Sequence, residues 1–227
     1  MYNSFQNKEC NRTNTRRISF YNLLNSIFCV VIIVSNIISK KMVNLPYFQS
    51  LAIPAGLITY PLTFFISDFV TEVYGSRKAK EMVYHAFGMS ILAYLIIKTA
   101  LVLPSLDSEN QLYFEASLGL NSMIIMASLT AYIFSQTIDI QLYALIKKWT
   151  GENYLWLRNN VSTLIAQLID TIIVNVIYLK LGIGMELTQV FAIILFSYMY
   201  KCILSIAFTP LFYLLLSIFK RYTYQYK

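Results

Sequence analysis

The sequence predicts an all-α, polytopic membrane protein with six transmembrane helices and both termini cytoplasmic. Three observations carry this. Hydrophobic residues fill 57% of the 227 positions and mean hydropathy is +0.57, well above an ordinary soluble domain. Apolar runs of about 20 residues, the length that crosses a bilayer as a helix, recur along the chain and leave no room for a separate soluble domain. Most of the 18 Lys and Arg residues lie between those runs, in alternate connections, as cytoplasmic loops require. A transmembrane barrel would instead alternate apolar and polar residues over short segments. The run IFCVVIIVSNII, from Ile27 to Ile38, does not.

Residues 1–19 form a polar head, read as a cytoplasmic tail. The apolar run after it lacks a small-residue cleavage site, so it is expected to stay as the first helix rather than leave as a signal. The membrane domain covers 20–219, with spans expected at Phe20–Ser39, Leu51–Val73, Met82–Leu103, Leu120–Ile146, Val161–Leu181 and Gln189–Phe219, and a cytoplasmic tail at 220–227. The fourth and sixth spans are over-long and call for tilt or extension beyond the bilayer. Pro54, Pro61 and Pro210 fall in or near spans, where the freed carbonyls need neighbours or water, often beside a cavity.

Orientation follows from the basic residues. Lys8, Arg12, Arg16 and Arg17 precede the first span; Arg77, Lys78 and Lys80 follow the second; Lys147, Lys148 and Arg158 follow the fourth; Lys220, Arg221 and Lys227 end the chain. The opposite connections hold Lys40, Lys41 and Lys180, and the longest of them is acidic, with Asp107, Glu109 and Glu115. Trp149, Tyr154 and Trp156, and Tyr222, Tyr224 and Tyr226, sit where aromatic anchors meet the headgroups.

The polar residues inside the spans ask for a reason, because a charge near the bilayer centre costs on the order of 2.5–3.5 kcal/mol on insertion scales. Asp68 and Glu72 stand at i and i+4 on one face of the second helix. Asp68 is the deeper. Glu72 reads either as a snorkelling carboxylate answered by Arg77 or Lys78, or as part of a site. In the fifth helix Asp170 is about eleven residues beyond Asn159, roughly 17 Å at 1.5 Å per residue and close to the midplane. Thr163, Gln167 and Asp170 make one stripe, with Asn159 and Ser162 beside it. Small polar residues can be helix–helix glue, but a midplane carboxylate is a poorer fit to that role. Gln136 and Asp139 share a face of the fourth helix, as a contact or a site. Asn36 lies near the outer end of the first. Lys201 can neutralise a bundle carboxylate, Lys98 can snorkel, and the single histidine, His85, reads as interfacial and structural.

Several chemistries are unsupported. Cys10, Cys29 and Cys202 have no paired spacing, which argues against a disulfide framework or zinc site. No HExxH, G-x-S-x-G or P-loop occurs, and nothing repeats like a selectivity filter. No catalytic residue, metal or cofactor is expected. The net charge of +7 belongs to the loops, so the bilayer and a small solute, not nucleic acid, are the expected partners. A carrier is the remaining class.

The two polar blocks, TYPLTFFISDFVTEVYG followed by SRKAK, and LWLRNNVSTLIAQLIDT, resemble the hallmarks of the queuosine precursor transporter family, also filed among vitamin uptake transporters. SNIISKKMV, with Asn36 and Lys41, is similar to its first-helix pattern. Thr71 stands before Glu72 where many members carry Asn. The resemblance implies six helices in the bacterial inner membrane and import of 7-deazaguanines: preQ0, preQ1 or queuine. It also suggests a fold similar to the substrate-binding components of energy-coupling-factor importers, an analogy that fixes no mechanism. Such a base presents an N1–H and an exocyclic amine that match one carboxylate, and an O6 acceptor; pairs of this type discriminate bases by roughly 1–3 kcal/mol. Asp170 or Asp68 is expected to read the donor edge and Asn159, Asn160 or Gln167 to meet O6, with an aromatic side chain stacking. Asn36 and Asp139 are further candidates. Arg158, at the cytoplasmic mouth, is a further expected partner of Glu72 that would gate exit, and Glu72, Arg158 and Lys201 are expected as gate or structural groups. Uptake of another solute such as a vitamin, or a solute-binding subunit that needs an energising partner, are the alternatives.

Overall fold

The computed structural model describes residues 2–45, 48–119, 122–151 and 153–224, with side chains for 17–41, 43, 55–56, 59–119, 122–151, 153–219 and 221. Lys8, Arg12, Arg16, Lys220 and Lys227 and the tail aromatics Tyr222, Tyr224 and Tyr226 lie outside the described side chains.

The first helix, α1, spans Tyr2–Ile38 and so continues helically back through the polar head. It is followed by a short antiparallel hairpin of β1 (Met42–Leu45) and β2 (Phe48–Pro54). A 3-10 turn at Ala55–Ile58 then leads into α2, Tyr60–Tyr74. The helix expected over Leu51–Val73 therefore loses its first turns. Proline supplies the reason. Pro61 has no N–H and a fixed φ, which suits the first turn of a helix and breaks an interior, and α2 starts around it. The apolar stretch before it is equally compatible with strand. Gly56 lets the 3-10 turn press against α1, since a Cβ there would lie 2.5 Å from the Ser35 carbonyl oxygen.

At Gly75 the chain reverses through a single residue with φ +87°, a conformation that favours glycine, and α3 (Ser76–Val102) begins at once. Arg77, Lys78 and Lys80, expected in a loop, thus occupy the first turns of α3. An exposed helix, α4 (Ser108–Leu118), precedes α5 (Ser122–Thr150). The sixth, α6 (Leu155–Asn175), runs on as a π-helical stretch, Val176–Ile183, and α7 spans Leu187–Tyr224 with Pro210 inside it. Because α6 starts at Leu155, Arg158, Asn159 and Asn160 are helical.

Five segments are long and apolar enough to cross a membrane: Arg17–Ile38, Ser76–Val102, Ser108–Thr150, Leu155–Ile183 and Leu187–Phe219. The chain is a multi-pass membrane protein. α2 is missing from that set because it has only 15 residues, yet its contacts run the depth of α1. Thr59 hydrogen-bonds Ser35 near one end, and the Tyr74 hydroxyl donates to the Arg17 carbonyl (3.0 Å) at the other. The two helices are antiparallel.

Packing explains why α2 needs no lipid-facing side. Phe65, Ile66, Phe69 and Val70 join Phe28 and Ile32 of α1, Met82 and Val83 of α3 and Phe212 of α7 in one buried apolar cluster. Phe65 meets Phe212 edge-on at 5.7 Å, and Phe69 meets Phe219 at 5.5 Å. The opposite face of α2 is polar and turns to α5 and α6. The surrounding helices expose large apolar side chains, among them Leu95, Ile96, Phe191 and Ile203, a surface suited to hydrocarbon rather than water.

Candidate functional site

The polar face of α2 forms a ladder from Tyr60 to Glu72, about 18 Å long at 1.5 Å per residue. Each turn of α2 meets polar side chains of α5, α6 or α7, because residues spaced by three or four share a helix face.

The outermost rung is ionic. Lys201 of α7 donates to Asp170 Oδ2 at 2.7 Å and to Thr171 Oγ1 at 3.1 Å, and lies 4.5 Å from the ring centre of Tyr60. Ser135 donates to Asp170 Oδ1 at 3.4 Å. This carboxylate has a cation, two hydroxyl-bearing neighbours and an aromatic wall. The expected neutralising role of Lys201 has a partner here.

One turn further, Gln136 Nε2 donates to Thr63 Oγ1 at 3.4 Å, while its carbonyl oxygen has no partner. Gln167, fully buried on α6 between Thr163 and Asp170 in the same stripe, has no partner for either end of its carboxamide. Below it, Thr163 donates to Asp68 Oδ2 at 3.0 Å and leaves Oδ1 unmatched. Asp139 of α5 is fully buried and is faced by Ser67, Asp68 and Ser162, none of which closes a hydrogen bond of good geometry on either of its oxygens. Among the described residues no cation pairs with Asp68 or Asp139.

The last rung is ionic again. Glu72 receives Arg158 at 2.8 Å, Lys147 at 3.1 Å and the Tyr143 hydroxyl at 3.0 Å. Arg158 also donates to the Gly151 and Asn153 carbonyls, which ties the α5–α6 connection to α2. Beyond this layer a cleft of about 400 Å³ opens, lined by Thr71, Glu72, Gly75, Lys147 and Lys148 among others.

The structure therefore places the expected residues unevenly. Asp68, Asp139, Gln167, Asp170 and Lys201 all lie on the ladder, with Glu72 and Arg158 paired at its end. Asp68 and Asp170 are not side by side: Thr163, which bonds Asp68, is seven residues or about 10 Å from Asp170 along α6. Asn159 is buried on the same α6 face, one turn before Thr163. Asn160 points elsewhere, donating to the Trp156 carbonyl and accepting from Thr209 of α7. Asn36 accepts from Ser128 (2.9 Å) and lines a separate small gap between α1, α3 and α5. Of the partners expected for Glu72, Arg158 meets it, while Arg77 and Lys78 both pair with Glu81. Tyr60, Thr63, Ser135, Tyr143 and Lys147 were not singled out from sequence. Extending the i, i+4 series from Glu72 back to Tyr60, and the α5 series from Asp139 to Tyr143, would have found the first and fourth.

What this arrangement can do follows from its unpaired atoms. Buried polar groups are ordinarily hydrogen-bonded, and leaving one unmet costs about 1–3 kcal/mol. The middle rungs carry several, contributed by three helices, between two ionic layers.

The family described as "Putative vitamin uptake transporter" matches residues 54–215, a range that contains every rung from Tyr60 to Lys201. Over 120 residues the chain is 32% identical to a protein of Bacillus subtilis (strain 168) named "Probable queuosine precursor transporter"; the match covers 52% of each chain. The chain thus spans about half the length of this curated relative. No solved structure matches it.

Proposed function

This chain belongs to the putative vitamin uptake transporter family, and from that premise we propose that it imports 7-deazaguanine precursors of queuosine (preQ0, preQ1 or queuine) across the bacterial inner membrane. The observation that carries the reading is the unmatched polar set in the middle rungs. Asp68, Gln136, Asp139 and Gln167 offer acceptors and a carboxamide deep in an otherwise apolar bundle, and a planar base with several N–H groups and one carbonyl supplies the complementary edges. The name of the Bacillus relative points to the same solute class.

In this reading α2 is the sixth crossing. It connects the two ends of the α1 span, so the basic ends of α1, α3, α5 and α7 come to one side, and both termini are cytoplasmic by the charge rule. The Glu72–Arg158–Lys147 layer separates the middle rungs from the cleft on that side and acts as the cytoplasmic gate. The Asp170–Lys201 rung closes the other end. Transport is a matter of binding and gating, with no chemical step assigned to any residue.

The test is uptake in a strain unable to make deazaguanines, scored by queuosine in its tRNA at limiting precursor. The parent chain restores queuosine; Gln167→Ala and Asp68→Asn restore far less. If the parent fails with all three precursors, the assignment is wrong. A panel of labelled water-soluble vitamins run beside them decides whether the solute is instead of the kind the family description names.

A further inference from the structure

Four carboxylates line the ladder, and their compensation is unequal. Asp170 has Lys201 at 2.7 Å, and Glu72 has Arg158 and Lys147 at 2.8 and 3.1 Å. Between them Asp68 and Asp139, both at most 1% exposed, face each other without a cation. The cations on either side are already committed to the end rungs. The unpaired atoms of the middle rungs are skewed in the same direction. Asp68 Oδ1, both Asp139 oxygens and the carbonyls of Gln136 and Gln167 are acceptors; Gln167 Nε2 and the Ser162 hydroxyl are what remains to donate.

A ligand that completes this set must bring more donors than acceptors and a positive charge. We propose that Asp68 and Asp139 form a cation-reading subsite, so that the chain selects a 7-deazaguanine whose 7-substituent carries a protonated amine over one whose substituent is neutral. The inference rests on the deazaguanine reading above and adds the charge of the substituent to it. The carboxamide of Gln167 presents a donor and an acceptor side by side, which matches the C6 carbonyl and N1–H of the base. Gln136 Oε1 adds an acceptor for the exocyclic amine. The ammonium then falls to the carboxylates one turn along, where an amine lacking its charge, or a nitrile, leaves the buried carboxyl pair without a counter-ion.

Uptake into liposomes containing the purified full chain tests this with three probes: preQ1, which carries an aminomethyl group; preQ0, which carries a nitrile; and 7-hydroxymethyl-7-deazaguanine, a neutral molecule of nearly the size of preQ1. The expected result is a preference for preQ1 of about tenfold or more over both neutral compounds, the scale of one well-placed charge contact. Asp139→Asn, and separately Asp68→Asn, lower the preQ1:preQ0 uptake ratio by about tenfold. Gln167→Ala, which touches the base edge, lowers uptake of all three together and leaves the ratio standing. Equal uptake of the three compounds by the parent chain overturns the proposal without any variant. So does a ratio that neither Asp substitution changes. Failure of the parent to take up any of the three is a different result: it removes the deazaguanine reading itself, and the charge reading with it.

Discussion

Replacing Lys201 with Met strips the cation from Asp170 while keeping the length of the side chain, and it tests whether the outer rung is a structural ion pair. Lys201 is 7% exposed and Asp170 2%, so water offers the abandoned carboxylate little. What remains to it are hydroxyls, that of Ser135 at 3.4 Å and that of Tyr60. Removing one partner of a buried pair typically costs about 3–5 kcal/mol, much of it the charge left behind. At about 2–4 °C per kcal/mol for a chain of this size, the apparent Tm of the purified protein in detergent should fall by roughly 6–20 °C. Adding Asp170→Asn to Lys201→Met removes the stranded charge, and most of the loss should return, because a pair of neutral residues in place of a buried ion pair is often close to neutral in stability. A thermal-unfolding series on parent, Lys201→Met, Asp170→Asn and the double variant reads this directly. If Lys201→Met alone melts with the parent, or if the double variant melts no higher than Lys201→Met, the outer rung is not the desolvated pair described above.

Other outcomes follow from the same geometry. Glu72→Gln weakens its link to Arg158 and Lys147, so a cysteine placed at Ser67 should react faster than in the parent with a thiol reagent added from the side on which the Glu72 cleft opens. Unchanged labelling would remove Glu72 from the proposed gate. Gly75→Ala forces an alanine to φ +87° in otherwise open space, a strain of about 1–2 kcal/mol that should lower stability while leaving the identity of the transported compound unchanged. Asn160→Ala breaks the α6–α7 bond to Thr209 and should cost about 1 kcal/mol of stability without altering relative uptake of preQ0 and preQ1; a changed ratio would bring Asn160 back to the substrate.

What the sequence made legible is what depends on local composition. Apolar runs locate α1, α3, α5, α6 and α7 because a helix in hydrocarbon must satisfy its own backbone and present apolar side chains all along it. Basic residues mark one end of the bundle whether they sit in loops or, as Arg77 and Lys78 do, in the first turn of a helix. The hairpin before α2 was not legible. An apolar run of seven or eight residues suits strand and helix equally, and only Pro61, read as a start rather than a kink, moves the boundary to Tyr60.

Partners across the bundle were harder still. For Glu72 the sequence offers Arg77 and Lys78 within six positions and Arg158 86 residues away; Arg158 is the one that meets it, with Lys147 beside it, because the reversal at Gly75 starts a new helix on which both nearer cations meet Glu81. Asn159 and Asn160 are adjacent in sequence, but on a helix neighbours diverge by about 100°, so one faces the ladder and the other faces α7. Sequence can show that a polar side chain is inside a span. Which helix it turns to is fixed by the packing of all of them.

The distribution of charge along the ladder argues for its use. A structural role for Asp68 and Asp139 would be served as well by Asn, which hydrogen-bonds without the roughly 2.5–3.5 kcal/mol that insertion scales assign to a carboxylate at depth. The end rungs offset that cost with cations and hydroxyls at 2.7 to 3.1 Å. Among the described residues the middle pair has no cation, only Thr163 on one Asp68 oxygen and the Ser67 and Ser162 hydroxyls facing Asp139. Binding energy available only when a ligand arrives is what such a pair supplies, and the amount is set by how badly the empty site is satisfied. Under the proposed function the ionic rungs on either side have a purpose beyond stability: each would be a charged closure that parts and re-forms around the occupied middle, while the two carboxylates between them would decide what is worth closing on.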